Sequence, residues 1–225
     1  MFFSRLLRRY RWDQHILVIL PVMVGVAAVM YLLGNEQGIA SFADTFHRAA
    51  PALTRAADWF CDYGIIPFHC FYALVLAVGI ARGRRSLIVF ALGYLAGLLF
   101  TILAVDILKY SIGRPRPYQS TDWLGPFNGD NDYHSFPSGH VADSLVACIP
   151  LATRFGGRVL PIALGMFPLL MALARIQMRH HHPSDFLGSV VIGSAGAMLA
   201  RAACARLAAC RRLRTFTTKR KNPGA

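Results

Sequence analysis

The sequence predicts an all-α integral membrane protein with six transmembrane helices in a single domain, 1–225. Three observations carry that expectation. Of the 225 residues, 55% are hydrophobic and only 16% charged, with a mean hydropathy of +0.43; a soluble domain rarely holds so little charge. Several apolar runs reach roughly 17–25 residues, the length that crosses a bilayer. The basic residues, finally, crowd into alternate connecting segments, as the positive-inside rule requires of a polytopic chain.

The spans follow in order. The first covers about 16–33, with Pro21 and Gly25 tolerated as they are in membrane helices; it lacks a small-residue cleavage site, so it is expected to stay as a helix. The second covers 64–81 and the third 86–108. The fourth, 141–153, is short and is expected to begin upstream near Ser138. The fifth covers 159–174 and the sixth 185–203. Between the first and second spans, 34–63 is too polar to cross. Its pieces 39–49 and 52–60 are amphipathic, with Phe42, Phe46, Leu53 and Trp59 as apolar anchors for an interfacial position; an ordinary connecting loop fits equally well. Gly93 and Gly97 form a small-xxx-small pair in the third span, read as close packing within the bundle.

Charge sets the orientation. Arg5, Arg8, Arg9 and Arg11 precede the first span, and Arg82, Arg84 and Arg85 separate the second from the third. Arg154 and Arg158 separate the fourth from the fifth, and a basic tail (about 204–225) closes the chain. With an even number of spans these segments share one face, the cytoplasmic one, and both termini lie inside. The net charge of +13 is thereby explained by anionic lipid surfaces, and no nucleic-acid partner is implied. The five cysteines (Cys61, Cys70, Cys148, Cys204, Cys210) have no metal-ligand spacing, and no disulfide framework is expected.

Arg48, Arg55, Lys109, Arg114, Arg116, Arg175 and Arg179 fall on the opposite face, where topology alone gives no reason for them. Five of them lie in two short stretches, Lys109 to Pro117 and Arg175 to Asp185, which together with Phe136 to His140 hold nearly all the reactive side chains. So many ionisable groups at one membrane depth are costly unless they are used. A phosphate monoester would use them. Arginine forks and a lysine ammonium suit its oxygens, and Ser138-Gly139 opening a helix adds backbone donors and the positive end of the helix dipole. Phosphoryl transfer also needs an in-line nucleophile and a proton donor, roles two histidines can fill. His181 and Asp185, four apart, can share a face, with Pro183 at an allowed first-turn position.

These residues resemble the type-2 phosphatidic acid phosphatase family of lipid phosphatases. Its first motif, Lys-x6-Arg-Pro, falls on Lys109, Arg116 and Pro117. Pro-Ser-Gly-His is complete at Pro137-Ser138-Gly139-His140. Ser-Arg-x5-His-x3-Asp falls on Arg175, His181 and Asp185, with Ala174 in place of the usual serine. The resemblance covers about 109–185 in motif order. It implies metal-independent hydrolysis of a lipid phosphate or diphosphate, without cofactor, in two steps. His181 is the implied nucleophile, held by Asp185, and His140 the proton donor and later the base. Lys109, Arg116, Ser138, Gly139 and Arg175 are the implied phosphate ligands. The implied partners are the lipid substrate and membrane lipids, and the implied location is the inner membrane with the active site facing outward.

Other readings of single residues stand beside these. His15, His47 and His69 are expected to be interfacial polar residues, and His134 a substrate contact or a loop residue. Only spacing singles out His181 from His180 and His182. A metal at this histidine run is disfavoured because consecutive loop histidines rarely converge and the nearby cations repel an ion. Asp106 is expected to pair with a cation such as Lys109. Asp143 either orients His140 or packs between helices. Arg114 and Arg179 meet a second phosphate or anchor at the interface. Two further functions compete with hydrolysis: transfer of the phosphoryl group to a lipid or sugar hydroxyl, and non-enzymatic lipid or anion transport.

Overall fold

The computed structural model describes residues 10–125, 129–155 and 157–209. Arg5, Arg8, Arg9, Cys210 and the basic tail beyond 209 lie outside these. The described chain forms α1 (Trp12–Leu33), α2 (Glu36–Ala49), α3 (Pro51–Tyr63), α4 (Ile66–Ala81) and α5 (Arg85–Ile112). After a single 3-10 turn (Asn131–Tyr133) come α6 (Gly139–Phe155), α7 (Val159–Gln177) and α8 (Asp185–Ala209).

Five helical stretches are long and apolar enough to cross a membrane: Trp12–Leu33, Pro51–Ala81, Arg85–Ile112, Val159–Gln177 and Asp185–Ala209. The spanning helices are apolar on both their inner and outer sides, as lipid-facing helices are. On α5, for example, Tyr94 and Val105 are buried while Leu99 is 59% exposed. The fourth expected span, α6, has 17 residues, short of the roughly 20 that a 30 Å hydrocarbon core asks for. It compensates in position. α6 packs against α1, α5, α7 and α8, and Val141, Leu145, Cys148, Ile149 and Ala152 along it are fully enclosed.

Close approach is permitted by small residues. A Cβ on Gly97 would lie 2.5 Å from the Gly196 carbonyl oxygen, and one on Gly93 2.8 Å from that of Ala200. The α5 glycines therefore serve contact with α8 inside the bundle, as the sequence suggests.

The amphipathic segment behaves differently from a simple interfacial loop. Phe42, Leu53 and Trp59 are exposed, as anchors should be, but Ile39, Ala43 and Cys61 are buried in the main core cluster. Gln177 donates to Thr54 Oγ1 at 3.2 Å, joining α3 to the end of α7. α3 then runs into α4 across a single turn at Gly64 and Ile65. α2 and α3 thus form a collar around the end of the bundle where α5 and α7 finish and α6 and α8 begin.

Candidate active site

Each of the three reactive stretches sits at that same end because of how its helix starts or stops. α5 runs one turn beyond the expected boundary and ends at Gly113, whose φ of 60° and N–H to the Lys109 carbonyl (3.0 Å) make a left-handed cap. Lys109 is therefore in the last helical turn. Ser138 opens α6, its carbonyl accepting the first helical bond from Ala142 N (3.1 Å), so the amides at the start of α6 are free to face a ligand. Beyond α7, Arg179 takes a φ of 57°. That left-handed residue reverses the chain and delivers His180, His181 and His182 back toward α6. Backbone pairing of Arg116 N with Asp132 O (2.8 Å) and Ser135 N with Arg114 O (2.9 Å) fixes the intervening loop.

His181 is 3% exposed. Its Nδ1 lies 2.5 Å from the Ser135 carbonyl oxygen and 3.3 Å from Asp185 Oδ2. A carbonyl can only accept, so Nδ1 carries the proton and Nε2 keeps its lone pair. Nε2 stands 3.4 Å from Arg175 Nη2. Burial, with Arg175 adding to it, holds the ring's pKa down at about 3 although Asp185 pulls the other way. The ring is thus neutral and held in one orientation, with the Nε2 lone pair on the side of Arg175.

Asp185 is fully buried and fully engaged. Oδ2 also accepts from Ser135 Oγ (2.6 Å) and His182 N (2.8 Å), and Oδ1 accepts from Arg114 Nη1 (2.5 Å). Arg114 itself is 0% exposed. Its other nitrogen donates to Glu36 Oε2 at 2.6 Å, Nη1 reaches Ser184 Oγ at 2.7 Å, and the guanidinium lies 3.8 Å from the Trp123 ring centroid. Ser184 in turn donates to Glu36 Oε1 through both its hydroxyl and its amide. Neither interfacial anchoring nor a second phosphate describes Arg114. It is the centre of a support layer beneath the histidine.

The cations of the other layer lack carboxylates. Among the described residues no ion pair within 4 Å joins Lys109, Arg116 or Arg175 to an acid, Asp106 included. Arg116 Nε, Arg175 Nε and Ser138 Oγ are buried without a protein hydrogen-bond partner. A Cβ on Gly139 would lie 3.9 Å from Lys109 Nζ, so the lysine reaches the start of α6. His140 lies within electrostatic reach of Lys109, Arg116, Arg175 and His180. Buried donors of this kind, gathered around a helix N-terminus, match the oxygens of a phosphoryl group.

Several single-residue expectations change. His15 is buried, 2.6 Å from Tyr10 OH and 3.0 Å from Ser194 Oγ. His69, half-buried, bridges Tyr94 OH (2.6 Å) and Asp143 Oδ2 (3.2 Å), so Asp143 faces His69 rather than orienting His140. Arg179 pairs with Asp44 at 2.5 Å. His134 is buried, edge-on to Tyr110, and His47, on α2, lies within electrostatic reach of His180. His182 donates through Nε2 to the Pro115 carbonyl (3.2 Å), away from His181. Among the described residues no three His, Cys, Asp or Glu side chains converge as metal ligands. Cys61 and Cys70 are both free.

The support residues Glu36, Ser135 and Ser184 escape sequence reading, and Arg114 is singled out there but for another role. Glu36 opens α2, where an acid is ordinary helix-dipole complement. Arg114 did leave a signal. Arg114 and Arg116 each precede a proline, which favours polyproline geometry, and with three residues per turn the two side chains must diverge.

Comparison with known proteins bears on this site. The PAP2 superfamily model matches residues 90–207. Undecaprenyl-diphosphatase BcrC of Bacillus subtilis (strain 168) is 30% identical over 131 residues, 58% of this chain and 64% of that protein. Lipid A 1-phosphatase of Rhizobium johnstonii is 32% identical over 103 residues, 43% of this chain and 40% of the relative. That of Rhizobium etli is 32% identical over 102 residues, 42% of each. The match thus spans less than two thirds of each relative's length. No solved structure matches. Since the family pattern covers more than half of the sequence and the helices that carry the site, the chain belongs to the PAP2 superfamily.

Proposed function

We propose that this chain hydrolyses a membrane lipid phosphate or diphosphate through a phosphohistidine at His181. The observation that carries the reading is the single-sided imidazole. Nδ1 is committed to Ser135 and Asp185, while the Nε2 lone pair accepts only a long contact from Arg175 Nη2 (3.4 Å), close to the buried Arg116 Nε, Arg175 Nε and Ser138 Oγ that have no protein partner.

In the first step Nε2 attacks phosphorus, forming a P–N bond as the P–O bond to the lipid breaks, and His140 gives its proton to the departing oxygen. The incoming phosphate brings negative charge to a cationic pocket, which favours the protonated imidazole that a general acid requires. In the second step water attacks phosphorus, His140 takes its proton, and the P–N bond breaks to free phosphate and restore His181. Asp185 steadies the positive charge that the ring acquires. Lys109, Arg116, Arg175, Ser138 Oγ and the α6 amides hold the equatorial oxygens, where charge develops. One such donor is worth about 2.7–4 kcal/mol in related chemistry.

The topology that goes with this reading has six spans, α6 being the short fourth, with both termini cytoplasmic and the site on the outer face of the cytoplasmic membrane. A long-chain substrate then enters sideways between helices. The relatives make undecaprenyl diphosphate and lipid A 1-phosphate the first substrates to try, ahead of phosphatidic acid and phosphatidylglycerol phosphate.

The test is phosphate release by the detergent-purified protein and its His181→Ala variant across these lipids, with EDTA present. Release by the parent alone supports the mechanism, and the fastest lipid names the substrate. Equal release by the variant would mean another nucleophile. Loss with EDTA that a divalent metal restores would overturn the metal-free reaction.

A further inference from the structure

We propose that the end of the bundle opposite the phosphate site holds a second, non-catalytic site for an anionic glycerophospholipid. A cavity of about 500 Å³ lies there between the start of α5, the end of α6 and the end of α8. At 1.5 Å per residue along α5 it is about 30 Å from Lys109. It is separate from the catalytic pocket.

Its chemistry has two parts. Val89, Phe90, Ala197 and Ala200 make apolar walls, and three arginines, Arg85, Arg154 and Arg201, stand around it without a single acidic residue among the lining. Arg85 donates to the Leu207 and Ala208 carbonyls, tying α5 to the end of α8 and fixing that wall. Arg154 and Arg201 make no ion pair with a carboxylate among the described residues, and Arg154 lies 5.9 Å from the Phe90 ring centroid. Ser86 and Arg201 are exposed, so the cavity opens to the surface of the bundle.

A free anion would use the arginines but not the apolar walls, and a neutral lipid the walls but not the arginines. A phosphodiester headgroup with acyl chains uses both. In the proposed topology this end faces the cytoplasmic leaflet, where anionic lipids attract basic residues. An ordinary positive flank would spread its charges over the surface. Here they converge on one cavity.

The experiment is native mass spectrometry of the full chain in detergent, titrated with phosphatidylglycerol, which is not a phosphate monoester and so is not turned over by the proposed reaction. The wild type is expected to retain one phosphatidylglycerol and to prefer it to phosphatidylethanolamine of the same chains. Arg154→Gln with Arg201→Gln should bind it about 30-fold more weakly, taking each arginine as roughly 1 kcal/mol. Ala205→Phe, which fills the cavity and keeps every arginine, should also expel the lipid and guards against misfolding of the double variant. Arg82→Gln with Arg84→Gln, at the same end but outside the cavity, should bind normally, as should His181→Ala. Equal weakening by the Arg82/Arg84 pair would reduce the effect to surface charge and overturn the site. Unchanged binding in the cavity variants, or displacement by millimolar inorganic phosphate alone, would overturn it as well. Because the readout is binding, none of these outcomes depends on the phosphatase reading.

Discussion

Two layers of arginine lie within one end of this bundle and differ in a single respect. In the lower layer Arg114 is completely buried, with Glu36 and Asp185 both within hydrogen-bond distance. In the upper layer Arg116 and Arg175 have no carboxylate within 4 Å among the described residues, although the buried Nε lacks an acceptor in all three arginines. A buried cation that is paired acts on the protein itself; one left unpaired is tolerated only where an anion arrives. On the function proposed above, the lower layer positions and the upper layer binds, with His181 as the link between them. It touches Asp185 through one nitrogen and faces Arg175 with the other.

Breaking this division should give effects in a definite order. Arg114→Ala leaves two carboxylates without their cation in a closed site, and the fold should lose about 3–5 kcal/mol, seen as a lower melting temperature in detergent together with lost activity. A variant that keeps its stability and loses only activity would place Arg114 in the binding layer instead. Arg175→Ala should do the opposite: unchanged melting temperature and a kcat/KM lower by about 10²–10³-fold. Glu36→Gln keeps a hydrogen-bonding group opposite Arg114 and should fall between wild type and Arg114→Ala in stability, with little change in KM. A rise in KM as large as that of Arg175→Ala would mean that Glu36 meets substrate.

A pH titration sharpens the same comparison. His181 is held at about 3 against an ordinary value of 6.5, so in the folded protein it stays neutral well into the acid range. As pH falls below 6.5 the unfolded chain takes up the proton first, and this histidine's contribution makes the fold progressively less stable down to about 3. Its neutral form, the one the proposed attack needs, persists over that whole window, so any acid limb of the rate between about 4 and 6 should belong to another group. Nitrogen shifts of the labelled ring would check this; protonation of His181 near 6 would remove the argument from its buried, single-sided position.

The contrast with the far end adds a second lesson. Arg85, Arg154 and Arg201 look in sequence like any flank on the cytoplasmic side, yet they meet around one cavity. Arg114 and Arg116, two residues apart, look like a pair and part company in space. Proximity in the chain is a poor guide where a proline-rich turn or a helix end redirects each side chain separately.

The sequence alone determined the class of the protein and singled out the residues of its upper layer as candidates. Apolar run length is a local property set by the bilayer, and it located five spans that the structure supports by length and composition, as well as the fourth helix, α6. Lys109 and His140 could be placed at one bundle end because each lies within a turn of a helix end that local signals mark: Gly113 and Ser138. Only the tertiary structure decided the lower layer. Glu36, Arg114, Ser135 and Asp185 come from four separate parts of the chain, and nothing near any one of them records the others. Their bonds exist because α2 folds over the bundle end and closes it. The same holds for Asp143, which spacing leaves open between His140 and a helix-packing role and which packing turns toward His69. Spacing fixes which residues can share a helix face; what that face meets is a matter of packing, because the contact that satisfies a buried charge is made across the bundle, not along the chain.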